Sequence, residues 1–461
     1  MGGGLAVIRL SGNQALQAVL PHIVLSSGSR LAPERITPRH AYLADFNQNG
    51  SPLDQVVLLY FAAPASYTGQ DVVELSCHAS PFIVRTIIET LTSEGLCRQA
   101  RPGEFTQRAF LNGKLDLAKA EAVADLIAAQ TQTQHRVAMA QLQGHLSSEL
   151  ARLREQLLRF TALMELELDF SEEDIEFANR DELTRLADQV QQHLQRLINS
   201  FKSGNAIREG IPVALTGPTN AGKSTLLNRL LGKDRAIVSN IHGTTRDTIE
   251  ERFQLGGFLF RLIDTAGLRD TQDPIEQMGI SRSREAVQNA RIVLRLIDAS
   301  LPSTPHSPAQ EDLPASLPNT SAREVLLYNK VDLLSPEERR QLLQQPAVGH
   351  ATTPQPPLQM AISARDGEGI AQLEETLVRL AQEIVDTHTD MILTNARHVE
   401  ALTQAAQALS RVQEGLEQQT PADLLSPDLR LCINSIGEVT GDTITNHELL
   451  GHIFAHFCIG K

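Results

Sequence analysis

The sequence predicts a multidomain fold that joins an α+β domain to an α/β domain set within a run of helices. Three observations carry this. The chain has 461 residues, more than one ordinary hydrophobic core takes up, so two or three domains are expected. Its texture changes near residue 116, again at Gly210, and returns to helical character after about residue 375. Between the last two changes, strand-like runs alternate with helical patterns, which implies a parallel sheet. The expected boundaries are 1–115 (α+β), 116–209 (first helical part), 210–374 (inserted α/β) and 375–461 (second helical part).

In the first segment, "LAVIRL" (5–10), "QVVLLYF" (55–61) and "DVVELSC" (71–77) read as strands. "SPFIVRTIIETLTSEG" (80–95) reads as a helix ending at Gly95. From 116 to 170 the chain is rich in Ala, Leu, Gln and Glu, lacks proline, and repeats apolar residues at three- and four-residue spacing. Long amphipathic helices are expected there. "FSEEDIEF" (170–177) interrupts them, and a further helix covers about 181–202. In the third segment "IPVALTG" (211–217), "FLFRLIDTAG" (258–267), "RIVLRLIDAS" (291–300) and "EVLLYNKVD" (324–332) read as strands. Five prolines between Pro302 and Pro318 and four between Pro346 and Pro357 mark surface loops of that segment.

Composition narrows the function. The net charge is −14, which argues mildly against a nucleic acid as sole partner but leaves room for a local basic patch. Cys77, Cys97, Cys432 and Cys458 are scattered without a CxxC pair, the pattern of reduced thiols in a cytoplasmic protein. No apolar run reaches the roughly 18 residues of a membrane span. The start "MGGGLAVIRLSG" lacks a basic region followed by a long apolar stretch, so no signal peptide is expected.

"GPTNAGKS" (217–224) matches G-x-x-x-x-G-K-[ST] between a strand-like run and a helical one. Glycines let backbone N–H groups wrap phosphates, Lys223 reaches the β- and γ-phosphates, and Ser224 offers a hydroxyl to Mg²⁺. Asp264 of "DTAG" ends a strand-like run, where a carboxylate holds Mg²⁺ through water, and the Gly267 N–H can face a γ-phosphate. "NKVD" (329–332) ends another; Asp332 can accept from both N1–H and the 2-amino group of guanine, a pair adenine lacks. "SARDG" (363–367) supplies a backbone contact to the base. The expected GTP-binding set is Asn220, Ala221, Gly222, Lys223, Ser224, Thr225, Asp264, Thr265, Ala266, Gly267, Asn329, Lys330, Asp332, Ser363, Ala364 and Arg365. One residue departs from the common switch: after the Asp-x-x-Gly turn, where many such proteins carry a water-orienting glutamine, stands Leu268.

Four further stretches carry a family resemblance: "RPGEFTQRAFLNGKLDLAKAEAVADLI" (101–127), "EEDIEF" (172–177), "HGTTRD" (242–247) and the terminal "FCIGK" (457–461). With the nucleotide motifs and the inserted domain order, the chain resembles the MnmE (TrmE) family of bacterial GTPases that modify tRNA wobble uridine. The resemblance implies a folate-binding-like dimerisation domain at the N-terminus and a potassium-dependent GTPase. Asn220, with the carbonyls of Ser239 and Ile241 and with Thr244, would ligate K⁺ in the switch loop Ser239, Asn240, Ile241, His242, Gly243, Thr244 and Thr245. Thr245 would join Ser224 on Mg²⁺. The potassium would stand where other GTPases place an arginine finger, and Glu276 would orient water in place of the missing glutamine. With Lys223 and Gly267 it completes the expected catalytic set. On sequence alone Glu276 also fits a solvated acid opening a helix.

The resemblance further implies folate contacts by Arg9, Glu74, Lys114 and Lys461, residues that otherwise read as surface ion pairs. Cys458 is open between a nucleophile toward uridine C6 and a small buried residue. His452, His456 and Cys458 have metal-compatible spacing, yet the family's terminus does not need those histidines, so a non-metal role is expected. Two departures stand out: the family's first strand and glycine-arginine loop do not precede "AVIRLSG", and "CHASP" (77–81) replaces a usual His-Gly-Gly, so Ala79 and Ser80 would restrict the backbone if positive φ were needed. The implied partners are a second copy of the chain, tRNA, and MnmG in a heterotetramer or larger complex, with FAD and NADH on that partner. No membrane is implied. A ribosome-assembly GTPase shares the nucleotide motifs, but no KH-like G-x-x-G module or strongly basic tail is seen. A folate-dependent aminomethyltransferase acting alone would not need the complete GTP site.

Overall fold

A computed structural model describes residues 3–25, 28–169, 180–218, 220–232, 251–263, 287–301, 322–344, 357–385, 391–442, 450, 453–454 and 457. The chain divides into two compact units, one of residues 1–124, 141–158 and 433–461, the other of 125–140 and 159–432.

The first unit is built on an antiparallel sheet of five strands: β1 (Leu5–Ser11), β2 (Ile23–Leu25), β3 (Ala41–Gln48), β4 (Ser51–Phe61) and β5 (Val72–His78). Their order is β1-β5-β4-β3-β2. Alternation sends Phe46, Val56, Leu58 and Leu75 to one buried face. That face is covered by α1 (Ala15–Val19) and α2 (Pro81–Ser93), through Val19 and Ile87. Helix α2 carries proline at its first position, where no N–H is needed. Ser80 is extended with φ −66, and Ala79 donates its N–H to the Gly4 carbonyl at 3.1 Å. Neither adopts positive φ, so "CHASP" is accommodated without the glycines.

Helix α3 (Glu104–Leu111) follows, then α4 (Leu117–Ala128), α5 (Gln132–Leu142) and α6 (His145–Asp169). The long apolar-periodic stretch is thus three helices. Gly144 makes one of the breaks, with φ 88. Helix α7 (Arg180–Glu209) runs further than the sequence suggests, stopping only at Gly210, whose φ of 97 suits glycine.

The second unit holds a six-stranded sheet of β6 (Ile211–Thr216), β7 (Glu251–Leu255), β8 (Phe258–Ile263), β9 (Ile292–Asp298), β10 (Arg323–Asn329) and β11 (Leu358–Ala361). Its order is β11-β10-β9-β6-β8-β7. Only β7 is antiparallel. Strands β6, β9 and β10 are apolar on both faces, as a covered parallel sheet requires. Helices α8 (Lys223–Leu231), α9 (Pro336–Gln344) and α10 (Ile370–Ile384) follow β6, β10 and β11 in turn. Two more helices, α11 (Ala396–Glu417) and α12 (Ala422–Thr440), bear out the helical texture expected after residue 375. Helix α11 packs on α7, where Gln191 Nε2 donates to Ser410 Oγ at 3.0 Å and Gln413 Nε2 to Asp188 Oδ1 at 2.6 Å.

Candidate functional site

The site forms where β6, β10 and β11 end, at the carboxyl edge of the parallel sheet, the usual ligand crevice of such folds. The first loop leaves β6 at Gly217. A Cβ there would lie 2.4 Å from the Leu296 carbonyl oxygen, and φ is 137, so only glycine fits. Asn220 is exposed with φ 64. Gly222, with φ 98, precedes Lys223, the first residue of α8. The unpaired N–H groups of that helix start favour an anion. Lys223 Nζ donates to the carbonyls of Gly217 at 2.6 Å and Pro218 at 3.0 Å, curling back over the loop. Burial pulls its pKa below the ordinary lysine value. Ser224 and Thr225 are exposed in the first turn. The Ser224 hydroxyl is a hard oxygen donor of the kind Mg²⁺ takes.

Asn329 ends β10 and is 2% exposed. Its Nδ2 donates to the Ala221 carbonyl at 2.7 Å, and its Oδ1 accepts the Ala364 N–H at 2.9 Å. One amide therefore ties the phosphate loop to "SARDG". A Cβ on Gly222 would sit 2.1 Å from that Nδ2, which explains the second glycine. Lys330 follows with φ 67, and Asp332 lies half-buried in a short 3₁₀ turn, Val331–Leu333. Val331 N–H reaches the Ile362 carbonyl at 3.3 Å, so the two base-side loops are joined again. Ser363 is buried; its Oγ accepts the Asp366 N–H at 3.1 Å, while its carbonyl accepts the Gly367 N–H at 2.8 Å. Arg365 is exposed on that loop, and Arg339 Nη1 donates to both carboxylate oxygens of Glu368, at 2.8 and 3.0 Å. The arrangement offers wrapped N–H groups for phosphates at one end and an asparagine, an aspartate and a backbone loop for a base at the other.

Other expected residues lie outside the described ones: Asp264, Thr265, Ala266, Gly267, Leu268 and Glu276, the loop Ser239–Thr245, His452, His456, Cys458 and Lys461.

In the first unit, Arg9 and Glu74 face each other across β1 and β5. Arg9 Nε and Nη2 both approach Glu74 Oε1 at 2.7 Å. The guanidinium also lies 5.6 Å from the Tyr67 ring centroid and 5.7 Å from that of Phe105. Lys114 is exposed on the turn after α3.

Three features escape a sequence reading. Within "RPGEF", Glu104 is 8% exposed and takes bidentate contacts from Arg98 at 2.8 and 2.9 Å. It also accepts the Arg101 N–H at 2.9 Å and Arg108 Nη2 at 2.7 Å. The Arg98 hydrogen bonds are the largest influence on its carboxyl; burial opposes them, but with the Arg101 and Arg108 contacts they bring its pKa down to about 2. Gly103, with φ 68, abuts Phe454 and Phe457, where a Cβ would meet the Phe454 carbonyl oxygen at 2.5 Å. Asp298, at the end of β9, ion-pairs with Lys330. The motif quoted for the resemblance contained the signal for the first two.

Of the cysteines, Cys432 is fully buried and burial pushes its thiol up to about 12. Burial also raises Cys77 and Cys97. No helix among the described residues is long and apolar enough to cross a membrane.

Two family models match. One, described as the MnmE helical domain, spans residues 117–458, and the other, the GTP-binding protein TrmE N-terminus, spans residues 1–114. A tRNA modification GTPase MnmE of Porphyromonas gingivalis is 48% identical over all of this chain and 96% of its own length. Proteins of the same name from Parabacteroides distasonis and Bacteroides fragilis are 46% and 45% identical over all of this chain and 97% of theirs. With both models and full-length relatives in agreement, the chain belongs to the MnmE (TrmE) family.

Proposed function

We propose that this chain is a GTP hydrolase that takes part in tRNA modification. The observation that carries this is the Asn329 amide, which binds the phosphate loop and the base loop into one guanine-nucleotide frame, in a chain whose full-length relatives are named tRNA modification GTPases. Within that reading the α8 N-terminus and Lys223 hold the phosphates, Ser224 with Thr245 would hold Mg²⁺, and Asp332 reads guanine. Leu268 cannot orient water, so Glu276 does. Asn220, Ser239, Ile241 and Thr244 would hold potassium, which when bound would supply positive charge to offset that developing on the phosphates.

The target is C5 of the wobble uridine, to which an aminomethyl or carboxymethylaminomethyl group is added together with MnmG. A tetrahydrofolate derivative supplies the one-carbon unit. The Arg9–Glu74 pair suits such a ligand: a cation meets its carboxylates and the second Glu74 oxygen accepts from a pterin amide. Lys114 and Lys461 complete that set. Cys458 stays open between a nucleophile toward uridine C6 and a small buried residue. The working state is a cytoplasmic homodimer joined to MnmG, which brings FAD and NADH and much of the grip on tRNA, a division that fits the chain's net charge of −14.

The test is removal of the protein from its host, followed by mass spectrometry of tRNA nucleosides. Loss of the C5-modified uridines, restored by the wild-type chain, is expected; whether Cys458→Ser also restores them decides between the two readings of Cys458. Unchanged modification overturns the proposal.

A further inference from the structure

The chain as a whole is acidic, with a net charge of −14, yet one surface of the first unit has the opposite sign. Residues 30–40, on the way from β2 to β3, hold Arg30, Arg35 and Arg39 against a single acid, Glu34. All four are exposed, as is His40. Among the described residues none of the three arginines has an ion-pair partner. The segment is nonetheless firmly built. Leu31 and Ile36 are buried and anchor it in the core. Arg30 bridges to Val24 of β2. Tyr42 Oη accepts the Thr37 N–H at 2.8 Å and donates to the Arg35 carbonyl at 3.3 Å. The His40 ring meets the Tyr42 ring edge-on, with centroids 4.8 Å apart. Arg39 stands at φ 63, held by its N–H on the Tyr60 carbonyl at 2.7 Å.

This surface adjoins the Arg9–Glu74 pair. Arg39 Nη2 donates to the Ala65 carbonyl at 3.4 Å. Two residues along the same loop, the Tyr67 ring centroid lies 5.6 Å from the Arg9 guanidinium. At Gly69 the loop meets the Lys114 stem, where an added Cβ would come 3.3 Å from Cγ. We infer that residues 30–40 are a docking surface for RNA: Arg30, Arg35 and Arg39 pair with backbone phosphates beside the target uridine, and His40 offers its ring to a neighbouring base. A uridine in a chain arrives with a phosphate on either side, and an acidic protein repels that backbone unless positive charge stands where it enters. Guanidinium groups match phosphate oxygens in pairs, and bases splayed from a single-stranded loop stack on exposed rings. The large apolar residues of the segment point inward, so it offers charge rather than the apolar centre of a protein interface.

This inference rests on the proposed tRNA reading, and the experiment separates the two. A fluorescein-labelled anticodon stem-loop is titrated at several salt concentrations with the full chain, alone and with MnmG. Wild type is compared with Arg30→Ala, Arg35→Ala, Arg39→Ala, the triple variant and Arg35→Lys. Wild type that binds no RNA in either state overturns the tRNA reading itself. With binding in wild type, the triple variant should lose at least about tenfold in affinity, and its log–log salt slope should fall by about 0.7 for each phosphate contact removed. Arg35→Lys should keep the wild-type slope, because the charge is kept. GTP hydrolysis and the melting temperature should not change. Unchanged affinity and slope in the triple variant overturn the inference. So does a loss confined to Arg39→Ala with a lowered melting temperature, which would mean that Arg39 only shapes the Ala65 loop. Weaker binding of an oligo-γ-glutamyl folate with RNA affinity intact also overturns it, by assigning the arginines to the folate tail.

Discussion

Asn329 donates its side-chain amide to the main-chain carbonyl of Ala221, 108 positions away in sequence and 2.7 Å away in space. Both groups are buried, and the same side chain accepts from Ala364. Replacing it with alanine leaves a buried carbonyl and a buried N–H unpaired, each worth about 1–3 kcal/mol. Asn329→Ala should therefore lose at least about tenfold in guanine-nucleotide affinity and lower the melting temperature even without ligand. Calorimetric titration with GDP and a thermal melt check both.

Potassium dependence follows from the proposed answer to Leu268. GTP turnover should be strongly faster in potassium than in sodium at equal ionic strength, and Asn220→Ala should erase most of that difference. Glu276→Ala should cut turnover sharply while GTP binding stays intact. Equal rates in the two salts would remove the cation from the mechanism, and Leu268 would then need a water-orienting group from a partner.

Glu104 makes the stability of the first unit sensitive to acid. Its pKa falls from an ordinary 4.5 to about 2. A carboxylate depressed on folding stabilises the folded state above its unfolded pKa, and that contribution fades as pH falls from about 4.5 to about 2. Arg98 is largely exposed, so solvent screening holds the contribution to about 2 kcal/mol. Glu104→Gln should lower the urea midpoint at neutral pH, and the gap to wild type should close at the acid end of that window. A gap independent of pH would contradict this.

Gly103→Ala should destabilise the first unit and loosen its C-terminal segment. The substitution strains a backbone at φ 68 and drives a methyl group to 2.5 Å from the Phe454 carbonyl oxygen. A loss of about 1–3 kcal/mol is expected, as for other overpacked positions. Faster proteolysis near Phe454 and Phe457, with GTP hydrolysis unchanged, would report it.

Much of the architecture was legible in the residues. Alternating apolar runs marked β1, β4 and β5, and continuous ones marked β6, β8, β9 and β10, because a strand's burial is written in its own side chains. Strand β7 went unread although its signal was there: Gly256 and Gly257, at φ 57 and 83, form a two-residue hairpin turn between "ERFQL" and "FLFRLI". Strand β11 was harder, since "LQMA" is four residues of no strong pattern and pairs with β10 only because the sheet offers an open edge.

By itself the sequence determined the nucleotide motifs, the mixed fold class and the family, because spacing that wraps a phosphate or reads a guanine is local and must be spelled out in consecutive residues. Only the tertiary structure decided that Asn329 joins two of those motifs, that Asp298 holds Lys330, and that Arg98 and Arg108 converge on Glu104. Asn329 and Asp298 reach their partners through strands brought side by side, and Glu104 gathers its arginines around a helix start. Pairing of that kind is set by sheet register and packing, and a linear string carries no measure of either.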